Sequence, residues 1–142
     1  MRKRKLAASV FLAVMAGGVI VHFSEHTVFE DHVEESLSEA GGRTALDFFM
    51  ALAFLVAAIT SYLDTRRGAK DSPPPSGWLM SRLFFYLTVL VAIPFFANWF
   101  ASLGHTDDGL LWIYVETAGP LTWGIQAVRL WRGARTPGRV TV

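Results

Sequence analysis

The stretch RKRKLAASVFLAVMAGGVIVHF, residues 2–23, sets four consecutive basic residues against a run of 18 in which Ser9 is the only polar side chain before His22. As an α-helix at ~1.5 Å per residue the run is about 27 Å long, the thickness of a bilayer's hydrocarbon core. A cleaved signal peptide begins in the same way, and Val14-Met15-Ala16 resembles its small-residue cleavage site. The apolar run continues through Val19, Ile20 and Val21, beyond the ~7–15 residues usual for a signal peptide's hydrophobic region, so it reads as a retained span.

Three more apolar runs follow, at about residues 44–63, 79–103 and 110–130. Charge changes sign across each run. Of the 13 Lys and Arg residues, all but Arg43 fall in residues 2–5, 66–82 or 129–139. Of the 12 acids, all but Asp64 and Asp71 lie in or beside the segments on the other side. A formal net charge of +1 therefore conceals a strongly basic face and a strongly acidic one. By the positive-inside rule the basic face is cytoplasmic. The expectation is one all-α domain over residues 1–142, an integral membrane four-helix bundle with both termini inside.

Between the spans, residues 24–43 form the outer loop, where Val28, Phe29, Val33 and Leu37 recur at helical spacing among Glu25, Glu30, Asp31, Glu34, Glu35 and Glu39. This predicts an acidic amphipathic surface helix ended by Gly41-Gly42. Residues 64–77 form a cytoplasmic loop in which Pro73-Pro74-Pro75 favours extended chain. The outer turn at 104–109 is short enough to make the third and fourth helices antiparallel neighbours. Pro94, and Gly119-Pro120, predict kinks in those two helices. Residues 131–142 form a basic cytoplasmic tail. Ala13 with Gly17, and Ala16 with Gly18, would allow a close helix contact on the first span.

With 52% hydrophobic and 18% charged residues the composition is that of a membrane protein. The chain has no cysteine, which excludes disulfides, iron–sulfur clusters and thiol chemistry. Its basic residues flank apolar runs without forming an aromatic-interleaved basic face, which argues against nucleic acid as a partner. The partners expected are the lipid bilayer, with contacts to anionic headgroups, and other membrane subunits or further copies of the same chain.

Ionisable groups inside a span are costly, so Glu116 and Asp47 stand out. With Asn98 and His22 they supply one polar residue from each helix at similar outer depth, a candidate intramembrane cluster for a proton, a cation or a ligand headgroup. The competing reading is that the four hydrogen-bond between helices and hold the bundle together. His22 and His26 are four apart and share a helix face with Glu30, an arrangement suited to a divalent metal on the outer surface. His22-Phe23-Ser24-Glu25-His26 also fits the H-x-x-E-H pattern of inverzincin proteases, but it straddles the membrane boundary and has no recognisable third ligand.

Small multidrug transporters carry a membrane-embedded Glu in their first helix, where this chain has Ser9. A four-helix cytochrome b needs paired histidines at matching depth within its spans, and only His22 comes near. No catalytic signature stands out. The sequence thus predicts a non-catalytic accessory subunit or assembly factor of a membrane complex, most in keeping with a bacterial inner membrane. A small proton- or cation-coupled transporter or channel built on Glu116 and Asp47 is the alternative, and a metal-binding membrane protein the third reading.

Overall fold

In a computed structural model the backbone is described for residues 2–28, 37–68, 75–104 and 109–135, and side chains for 3–24, 45–66, 79–104 and 109–135. All four described segments are helical: α1 (Arg2–Val28), α2 (Leu37–Gly68), α3 (Pro75–Ser102) and α4 (Gly109–Arg135). Three contain stretches long and apolar enough to cross a membrane, Lys3–Ser24, Ala45–Arg66 and Leu79–Ser102. α4 has the length, at 27 residues, but not the overall apolarity. Its stretch includes Glu116, Thr117, Thr122, Gln126 and Arg129, which lower the average without revealing which way they face.

The helices run past the boundaries that composition predicts. α2 begins at Leu37 and passes unbroken through Gly41-Gly42, so the glycine pair does not end a helix. Glycine costs about 1 kcal/mol relative to alanine inside a helix, too little to stop one that continues for turns on either side. α1 extends to Val28, so the ends of the expected surface helix belong to α1 and α2, while its centre, residues 29–36, lies outside the described residues. Pro75, last of the three prolines, is the first residue of α3. Proline suits that position because its missing N–H would have no helical partner there. α3 and α4 continue through Pro94 and Pro120, and Arg132 and Arg135 in the last turn of α4 complement its dipole.

α1 packs chiefly on α4 and α2 chiefly on α3; α3 also meets α4, while α1 touches α2 lightly and, among the described residues, α3 not at all. Leu12, Met15 and Val19 of α1, Met50 and Phe54 of α2, Val91 and Phe95 of α3, and Val115, Trp123 and Leu130 of α4 form the shared core. The outer surface is apolar as well: Val14, Phe48, Leu83, Leu90, Ile93 and Leu121 are all exposed. A bundle with apolar side chains both inside and out has the surface of a protein solvated by hydrocarbon.

Candidate functional site

Contacts between helices fix their register. At one end, Ser9 donates to the carbonyl of Ala127 (2.7 Å), the Gln126 amide donates to the Thr60 hydroxyl (3.0 Å), and Arg129 donates to the Ser81 hydroxyl (3.0 Å). Lys5 approaches Asp64 at 3.8 Å and lies against Gly133. Arg129 also stacks over Phe84 at 4.9 Å, Arg66 over Tyr62 at 5.6 Å, and Arg135 over Trp131 at 4.5 Å. The start of α1, the end of α2, the start of α3 and the end of α4 therefore meet at a single basic end. Arginine suits that position because its aliphatic stem and flat guanidinium pack on rings while its charge reaches the headgroups.

In the middle, Phe54 packs against Phe95 and Trp123 with ring centroids at 5.0 and 4.8 Å, and all three side chains are fully buried. Gly119 makes room for this cluster. A Cβ there would lie 3.3 Å from both Phe54 and the Trp123 ring. Above it, Trp99 stacks on Phe95 at 5.9 Å and meets Phe48 edge-on at 5.2 Å, and Trp112 approaches Phe95 at 6.1 Å. Four helices thus contribute to a closed aromatic and aliphatic plug.

The four polar residues singled out in the sequence lie at the outer level of this plug, past Phe54 and Trp123. From Ser9 to His22 is about 20 Å along α1, and from Ala127 back to Glu116 about 17 Å along α4. Asp47 precedes Phe48 and Asn98 precedes Trp99, the two rings in contact. Register therefore brings His22, Asp47, Asn98 and Glu116 to the same end of the bundle, within about 10 Å of depth. Asn98 is buried, while His22, Asp47 and Glu116 are half-buried, and each of the four engages a neighbour. For the metal triad, only His22 has a described side chain; those of His26 and Glu30 lie outside the described residues. Among the described residues no three His, Cys, Asp or Glu side chains are placed to share a metal ion.

A second polar layer lies on the inner side of the plug, and it was not legible as a unit in the sequence. Ser9, Ser61, Thr88 and Gln126 come one from each helix and are all buried, at 3%, 1%, 0% and 0% exposure. Thr88 bonds back to the carbonyl of Phe84 (2.9 Å) and Thr60 to that of Val56 (2.7 Å), the usual way a hydroxyl is accommodated in a membrane helix. Gln126 is the signal that could have revealed the layer. An amide in an apolar run, one turn from Trp123, needs partners on another helix.

The fold and its polar layers define a class: an all-helical bundle with three helices long and apolar enough to cross a membrane. No known protein family matches the chain, and neither does any curated protein or solved structure.

Proposed function

We propose that the protein is a four-span membrane protein, in a bacterial inner membrane with both ends cytoplasmic, and a non-catalytic accessory or structural subunit of a membrane complex. The plug carries this reading. Phe54, Phe95, Trp123, Leu12, Val19 and Val115 are at most 2% exposed, so the centre of a single copy is filled with apolar side chains from all four helices. Such a centre suits a packing unit, because ions and polar solutes need a hydrated route. The faces of α4 support its insertion as a fourth span: Thr122 and Gln126 are buried, while Leu110, Ile113, Leu121, Ile125 and Val128 are exposed. Two of its polar side chains are turned inward, while Thr117 shares the exposed face with these large apolar ones.

Purification in mild detergent at native expression level, with mass spectrometry of whatever accompanies the chain, tests the role. Stoichiometric membrane partners are expected, and deletion of residues 30–39 should release them if the acidic segment is the docking element. Recovery of the chain alone as a defined homo-oligomer would overturn the accessory role.

The common depth of His22, Asp47, Asn98 and Glu116 favours one second reading, proton or cation coupling at the outer polar layer. For that reading Glu116→Gln in proteoliposomes should abolish flux while the protein remains folded. Flux that persists in the variant, or is absent from the parent protein, rejects it.

A further inference from the structure

Three polar atoms of the inner layer are buried without a hydrogen-bond partner: Ser61 Oγ, Gln126 Oε1 and Trp123 Nε1. They lie within about two turns of one another in helix register. Trp123 and Gln126 are three apart on one face of α4, and Gln126 bonds to Thr60, the residue before Ser61 on α2. Rotating the Gln126 amide does not relieve it. Thr60 already donates to the carbonyl of Val56, so exchanging the amide oxygen and nitrogen would set two acceptors face to face and leave the amide donor unmet as well. The nearby hydroxyls of Ser9, Thr88 and Thr122 are all satisfied, which makes the three orphans a local feature of the α2–α4 contact.

We propose that this contact is a hydration site, in which one or two bound water molecules join Ser61, Gln126 and Trp123. The chemistry of the three atoms selects the guest. The indole N–H requires an acceptor, the amide oxygen requires a donor, and the serine hydroxyl serves as either. A bare cation would satisfy the oxygens but face the indole proton, and an anion would face the amide oxygen. Water both donates and accepts, and it is the common occupant of buried polar sites with two to four partners. The surroundings also give the site a direction. Outward, the Phe54–Trp123–Phe95 rings close the bundle; inward, Arg129 lies one turn from Gln126 and bonds to Ser81. Water therefore exchanges with the basic end of the bundle, and the rings separate this layer from the outer one.

Tryptophan-labelled protein in nanodiscs, with the Trp123 indole signal assigned by its loss in Trp123→Phe, tests the proposal directly. A magnetisation-transfer peak between water and the Trp123 indole proton is expected, and its absence overturns the site. Thermal stability provides an independent readout. If water bridges the atoms, Ser61→Ala should lower the unfolding midpoint by about 2–4 °C, and combining it with Gln126→Leu should cost less than the two changes separately. A raised midpoint in Ser61→Ala would mean that an unmet polar group had been removed, and would overturn the proposal even if Gln126→Leu failed to fold.

Discussion

Gly119 is the residue on which the centre of the bundle depends. The space a side chain would occupy is filled by Phe54 and Trp123, both fully buried, and Phe54 in turn packs on Phe95. Gly119→Leu should therefore destabilise the fold by about 1–3 kcal/mol through overpacking, read as a lower unfolding midpoint in detergent. Gly17 and Gly18 provide the contrast, because a Cβ at either meets nothing within 4 Å. Gly17→Ala should raise the midpoint, gaining up to about 1 kcal/mol of helix propensity. If both substitutions moved stability in the same direction, the packing around Gly119 would not be what distinguishes the two sites.

α4 carries the lesson at the scale of elements. Sequence identifies an apolar run at 110–130, but its average is diluted by polar residues, of which the fold buries Thr122 and Gln126, and no average records direction. The exposed positions supply what the average lacks. A charge at Leu121, which is 63% exposed at the level of the plug, should cost about 2.5–3.5 kcal/mol of insertion free energy. Leu121→Lys is thus expected to reduce membrane integration of α4 sharply in a glycosylation-mapping assay. Unchanged integration would mean that this face meets protein or water rather than lipid. The other spans were legible because length and apolarity suffice for them. Gly41-Gly42 misled because a stop signal works only where the helix has nothing to gain by continuing, and α2 has another 26 residues to run.

For the whole molecule, alternating charge predicts the orientation and the register agrees with a single basic end, where Lys5, Asp64, Ser81, Arg129 and Gly133 meet. Since the chain lacks cysteine, one introduced thiol reports unambiguously. Ser72→Cys should react with a membrane-impermeant maleimide only after permeabilisation, and Ser36→Cys in intact cells; the reverse pattern would invert the topology. The outer polar residues could be picked out one by one, because an acid in an apolar run is conspicuous. The inner layer could not, because serine, threonine and glutamine are ordinary in a helix until the fold buries one from each of four helices.

The pairing of α1 with α4 has a consequence for synthesis. α1 leaves the ribosome before the other three helices and has its main partner in α4, with only a light contact to α2 and none to α3 among the described residues. About 100 residues separate them, which at ~5–20 residues per second puts some 5–20 s between the emergence of α1 and that of α4. During that interval Ser9, Leu12 and Val19 lack their main partner, and the bundle closes only once α4 has emerged. Chains arrested after α3 should accordingly crosslink from α1 to the insertion machinery, and completed chains should not.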